Sequence, residues 1–166
     1  MPSVGSNDAL LLMLGSLPGE ASLKAERYYA HPQNQFWRLL GLALGEDLGA
    51  MAYEDRLSRL EARRIALWDV VGEANRHGSL DGAIRAATPN QLREFAGTHP
   101  NLRAIAFNGK TSSRIGRSAL GDLRGIALVD LPSSSPAYTL SFDEKAKLWG
   151  RLGPLASPPE AATLGS

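Results

Sequence analysis

The sequence predicts a single-domain α/β protein, a three-layer sandwich around a small, mostly parallel, four-stranded central sheet. Three observations carry that expectation. Four short apolar runs, "ALLLML" (9–14), "IALWDVV" (65–71), "LRAIAF" (102–107) and "GIALVDL" (125–131), are almost continuously hydrophobic, as parallel strands covered on both faces require. Helical patterns separate them, and such alternation leads to a parallel sheet with helices on both sides. At 166 residues, with 43% apolar and 21% charged residues, the chain is long enough to bury one sizeable core.

The elements follow in order. The first strand run ends in "GSLPGEAS" (15–22), a turn rich in Gly, Ser and Pro. Trp37, Leu40 and Leu44 then keep helical spacing; Leu57 and Leu60 do so again, with Ile65 at the same spacing where the second strand run opens. Thr88-Pro89-Asn90-Gln91 combines an N-cap, a Pro at the first helical position and a capping-box Gln. The third run enters "NGKTSS" (108–113), read as a strand end turning into a helix N-terminus. The fourth enters "PSSSPAYT" (132–139), and Ser141-Phe142-Asp143-Glu144 repeats the capping-box pattern before a last helix. Residues 1–152 form the expected domain, and "GPLASPPEAATLGS" (153–166) a flexible tail.

Composition narrows the chemistry. With no Cys, disulfides, thiolate catalysis, Cys-ligated zinc and iron–sulfur clusters are excluded. His31, His77 and His99 do not fall at metal-ligand spacings, so neither metal nor cofactor is expected. No apolar run approaches the ~20 residues of a membrane span, and the expectation is a cytoplasmic monomer away from membranes. A net charge of +1 means that a polyanion would need a local basic patch.

Ligands of open α/β sheets bind beyond the carboxyl ends of the strands, where this chain gathers its Gly-, Ser-, Pro- and Asn-rich loops. "FNGKTSS" ends like a phosphate loop, but position 104 is Ala where the pattern needs Gly, so no nucleotide cradle forms. Its helix start with Lys110, Arg114 and Arg117 suits a backbone phosphate instead, with Arg63 and Arg64 expected on another surface. "LGSLPGEAS" lacks the G-x-G spacing of a dinucleotide fingerprint, and no G-x-S-x-G elbow exists. Just downstream, "YYAHPQNQFW" (28–37) packs four aromatics into ten residues. Phe36 and Trp37 read as core at the start of an amphipathic helix. Tyr28 and Tyr29 precede it, where an aromatic can stack on a base for about 1–3 kcal/mol. His31 shapes the loop, and Asn34 either caps the helix or orients a water.

"LGSLPGEASLKAERYYAHPQNQFW" resembles the first motif of the uracil-DNA glycosylase superfamily, and "LPSSSPAYTLSFDEKAKLW" its second. Mismatch-specific members carry G-I-N-P-G and then H-P-x-N-x-F-W. The turn G-S-L-P-G and the loop P-S-S-S-P-A, with "ALWDVV" and "GSLDGAI" between them, are more similar to the hypoxanthine-DNA (deoxyinosine) glycosylase branch. The likeness spans most of residues 9–150. Leu17 stands where mismatch-specific enzymes place a water-orienting Asn, and Leu131 replaces a polar residue of other branches.

The resemblance implies a monofunctional glycosylase that removes a deaminated base, hypoxanthine or possibly uracil, flipped out of DNA. A uracil-specific enzyme, a non-catalytic nucleic-acid-binding module and a small-molecule α/β enzyme with an unrelated anionic substrate are the alternatives. Asn34 would then be catalytic. Gly15, Ser16, Leu17, Tyr29, Asp69 and Asn108 would bind the base, with Asp69 alternatively a cap or ion-pair partner. Lys110, Ser133, Ser134 and Ser135 would grip flanking DNA. Cleavage toward an oxocarbenium-like sugar needs a placed water and a stabilised leaving base rather than a strong nucleophile.

Overall fold

The computed structural model describes residues 2–17, 19–70 and 89–159. Within them a sheet runs in the order β1 (Val4–Gly5), β3 (Ile65–Asp69), β2 (Leu11–Gly15), β4 (Ala104–Asn108) and β5 (Ala127–Leu131). The four strands expected from the apolar runs are all present and mutually parallel. A fifth, β1, adds antiparallel to the edge of β3. Two residues leave no periodicity to read, so this strand has no sequence signal.

The period of two along each strand sorts its residues into two cores. Leu11, Met13, Ile65, Leu67, Ala104 and Ala106 face one layer, made by α2 (Phe36–Leu44), α3 (Tyr53–Ala62) and α6 (Phe142–Trp149). Leu12, Leu14, Ala66, Ile105 and Phe107 face the other, made by α4 (Pro89–Thr98) and α5 (Lys110–Leu120). The remaining helix, α1 (Glu20–Ala25), follows the first loop. Phe36 and Trp149 are both fully buried and meet edge to face at 5.6 Å. Burying a large apolar side chain stabilises by roughly 1.5–3 kcal/mol, so this pair helps to fasten α2 to α6, together with Arg38 over the Phe142 ring. The Ser141 side chain accepts from the Glu144 N–H at 3.2 Å, the expected N-cap of α6. Pro89 opens α4 as its chemistry requires, while Thr88 lies outside the described residues.

Two expectations change. Packing continues past residue 152: Gly150–Leu155 forms a 3-10 helix, and Ala156 and Ser157 are buried. Arg63, expected at the surface, is 4% exposed. Its guanidinium donates to the Ser157 carbonyl at 2.5 Å, the Leu44 carbonyl at 3.0 Å and Glu46 at 2.7 Å, so it pins the C-terminal segment to the end of α2. Arg64, beside it, pairs with Asp8. Burial pushes the Glu46 carboxyl up, but hydrogen bonds from Arg59 and Arg63 outweigh it and hold the group below its ordinary value. Finally, the expected joining segment "GSLDGAI", His77 and residues 160–166 lie outside the described residues.

Candidate active site

Strand register builds the site. Gly15 pairs with Asp69 across β2 and β3, and Asn108 with Leu131 across β4 and β5, so the strands end along one carboxyl edge. A cavity of about 650 Å³ opens there. Gly15, Ser16, Leu17, Tyr29, Asn34, Asp69, Asn108, Ser133, Ser134 and Ser135 all line it. Lys110 does not; it stands exposed on the first turn of α5. The loops fit tightly. Gly109, at φ +100°, caps α5, and a Cβ there would sit 3.2 Å from the Ser133 Cβ.

Asn34 is held in one orientation. The Phe36 N–H, which can only donate, points at its carboxamide oxygen at 3.0 Å, and the Ser134 hydroxyl donates to that oxygen at 2.8 Å. Oxygen and nitrogen are therefore assigned by the network. Asn34 Oδ1 accepts from the first N–H of α2 from the position before the N-cap Gln35, which leaves Nδ2 without a protein partner among the described residues.

Asn108 braces the wall. Its Oδ1 accepts from the Ser134 N–H at 2.9 Å, and its Nδ2 donates to the Ser134 hydroxyl at 2.9 Å and to the Tyr29 hydroxyl at 3.3 Å. A directed chain thus runs from Asn108 through Ser134 to Asn34. Ser133 and Ser135 accept from the N–H groups of Ser135 and Ala137, so each shapes the loop and keeps its own O–H to donate.

The two tyrosines divide their work. Tyr28 is 2% exposed, and its hydroxyl donates to the Pro2 carbonyl at 2.8 Å. Tyr29 sits in the left-handed region at φ +55° and stacks on Phe36 with centroids 3.8 Å apart and planes 11° apart. Burial, then the neighbouring Asp69 charge, raises the pKa of both phenols. His31 lines the cavity, and its Nδ1 accepts from the Gln33 N–H at 3.1 Å, the loop-shaping role expected of it.

Among the described residues Asp69 makes no cap hydrogen bond and no ion pair, and its Oδ2 is buried with no hydrogen-bond partner. Desolvation pushes this carboxyl up to about 7. An unpartnered buried oxygen is costly, and the residue that carries it lines the cavity. Among the described residues no cluster of His, Asp or Glu can hold a metal ion, and no helix is long and apolar enough to cross a membrane.

The family model of the uracil DNA glycosylase superfamily matches residues 2–153. The chain belongs to that superfamily. A hypoxanthine DNA glycosylase of Methanosarcina acetivorans is 40% identical over 148 residues, 89% of this chain and 92% of the relative. One of Methanosarcina barkeri is 43% identical over 111 residues, 67% and 70% of the two chains. The solution NMR structure of a candidate uracil DNA glycosylase from M. acetivorans superposes with a TM-score of 0.77 at 35% identity, covering 93% of this chain and 96% of that one.

Within this superfamily member, the sequence reading missed two kinds of residue. Glu20, Ala21 and Ser22 line the cavity from α1; they lie inside the first motif, whose composition there reads only as a turn. Lys145 lies in the helical end of the second motif, fully buried beneath its loop. A signal for it existed: Phe142, Lys145, Ala146 and Trp149 fall at i, i+3, i+4 and i+7, which puts the lysine on the apolar stripe of α6.

Proposed function

We propose that the chain is a monofunctional DNA glycosylase that hydrolyses the N-glycosidic bond of hypoxanthine flipped out of DNA, initiating base excision repair. The observation that carries this reading is one cavity lined both by an Asn34 carboxamide of fixed orientation and by Asp69, whose carboxyl burial pushes up to about 7. The two relatives named as hypoxanthine DNA glycosylases support the same substrate.

The chemistry follows from the groups present. Extruding a nucleotide costs a few kcal/mol, less for a deaminated or mispaired base. The Ser133 and Ser135 hydroxyls and the α5 start at Lys110 hold flanking phosphates. The extruded base lies on the face of Tyr29 that Phe36 does not cover. As a neutral acid, Asp69 presents a donor and an acceptor, which match the C=O and N–H edge of hypoxanthine. Asn34 Oδ1 already accepts two hydrogen bonds, so the residue acts through Nδ2, donating to a water and leaving a second lone pair to meet the sugar as positive charge develops. Asn108 holds Tyr29 and Ser134 in place, and Gly15, Ser16 and Leu17 form the floor. Among the described residues no lysine lines the cavity, which supports base removal without a Schiff base or strand cleavage.

Duplexes carrying single hypoxanthine, uracil, xanthine or thymine lesions test the reading. Hypoxanthine should be released with alkali-labile product. Uracil released about tenfold faster would make this a uracil enzyme. Lesion binding without product would make it a non-catalytic module.

A further inference from the structure

Lys145 is 0% exposed, yet its Nζ meets no carboxylate among the described residues. It donates to Gln35 Oε1 at 2.8 Å and to the Ser135 carbonyl at 3.1 Å, and lies 5.5 Å from the centre of the Tyr138 ring. All three partners are neutral. Desolvation lowers the pKa of this amine, and a buried cation without a counter-charge opposes stability. A methionine would fill the same space without that penalty, so packing does not explain the lysine.

Its partners do. Gln35 follows Asn34 and opens α2; Ser135 follows Ser134 in the second-motif loop. The Gln35 N–H also donates to the Ser134 carbonyl at 3.0 Å. The ammonium therefore stands under the junction of two loops, bonded to the residue that follows each member of the pair sharing the 2.8 Å hydrogen bond, Asn34 and Ser134. We propose that Lys145 is a positioning residue that clamps these two loops together and so holds the Asn34 carboxamide in its working orientation. This rests on the glycosylase reading above and adds to it a group that touches neither base nor sugar. A small drift of reacting groups costs orders of magnitude in rate, which is the return for retaining a destabilising charge.

The test uses Lys145→Met, Gln35→Leu and the double variant in the full chain, with thermal melting and single-turnover hypoxanthine release. Lys145→Met should melt at or above the wild-type temperature yet release base about tenfold or more slowly, with lesion-duplex affinity within about threefold. Gln35→Leu strands the ammonium and should lower both melting temperature and rate. The double variant should regain the melting temperature and not the rate, since removing both partners of a buried pair is close to neutral for stability. In an Asn34→Ala background, Lys145→Met should cause no further slowing, because residues acting as a unit are not additive. A Lys145→Met rate within about threefold of wild type, a double variant regaining both properties, or failure of Lys145→Met to fold would each overturn the proposal. The Asn34 side-chain amide resonance in nitrogen-15 spectra gives a readout independent of activity: it should shift in Lys145→Met, and an unchanged resonance also overturns the clamp. If the wild type releases no base, the glycosylase reading fails, and that resonance still decides the role of Lys145.

Discussion

The Ser134 hydroxyl donates to the Asn34 carboxamide oxygen at 2.8 Å, joining residues 100 positions apart in the chain. With the Phe36 N–H on the same oxygen, this contact turns Nδ2 of Asn34 away from the helix. Asn34→Ala should therefore lower single-turnover excision by orders of magnitude while leaving duplex affinity nearly intact. Ser134→Ala removes one of the two bonds to Oδ1, and the backbone donor remains. A milder loss of about tenfold is expected, the cost of one ordinary hydrogen bond of about 1 kcal/mol or slightly more. Equal losses in the two variants would show that Asn34 acts through Ser134 and not directly.

Gly15 has no room for a side chain. A Cβ there would lie 2.5 Å from Asp69 Oδ1 and 2.7 Å from the Tyr29 hydroxyl. Neither can retreat easily, because Tyr29 is pinned between Phe36 and Asn108. Gly15→Ala should destabilise by about 1–3 kcal/mol and reduce excision to background. Gly97→Ala, on α4 with nothing near its Cβ, is the control: it should leave the rate unchanged and keep or raise stability, by up to about 1 kcal/mol. Urea midpoints and single-turnover rates check both variants.

The parts of this fold that were legible in the sequence are those set by local pattern. Leu11–Gly15 is buried throughout, and its unbroken hydrophobicity announced a strand covered on both faces. Ser141 announced the start of α6 by capping chemistry within three residues. Arg63 was misplaced because its partners Glu46 and Ser157 stand 17 and 94 residues away, and no local pattern distinguishes a buried arginine from a solvated one. The candidate site divides similarly. Its residues were found through motif resemblance, but the assignment of Asn108 to bracing and the fixed amide of Asn34 depend on Ser134, which only folding brings to them.

The DNA face is open to a charge test. Lys110 and Arg114 are exposed on the first turns of α5, whereas Arg117 is taken by Asp130 at 3.0 Å and by the Ser113 hydroxyl at 3.0 Å. Lys110→Glu should weaken duplex binding and reduce the slope of log affinity against log salt by about 1. Arg63 cannot serve as the control, since reversing a buried charge would unfold the chain. Arg103→Glu serves instead: it is exposed and precedes β4, at the opposite end of the sheet from the cavity. Equal weakening by Arg103→Glu, measured by titration at several salt concentrations, would place the DNA elsewhere.

Asp69 ties stability and activity to pH in the same direction. Its folded pKa is raised to about 7 from an ordinary value of 3.8 by burial. Between those values the folded state keeps a proton that the unfolded state has lost, so its stability contribution is fully present below about 4, falls as pH rises, and levels off above about 7. Asp69→Asn removes the titration. Its urea midpoint at pH 8 should exceed that of wild type, by a free energy on the order of 2–4 kcal/mol, and the two should converge near pH 4. Excision should follow the neutral acid, because an ionised Asp69 keeps its acceptors but loses the donor that meets the base carbonyl. Wild-type hypoxanthine release should therefore decline as pH rises from 6 to 8, about tenfold per unit once past the folded pKa. In Asp69→Asn the amide supplies a permanent donor and the decline should vanish, whatever the absolute rate. A wild-type profile flat from 6 to 8, with the midpoint difference at pH 8 still present, would confine Asp69 to stability and remove it from base recognition.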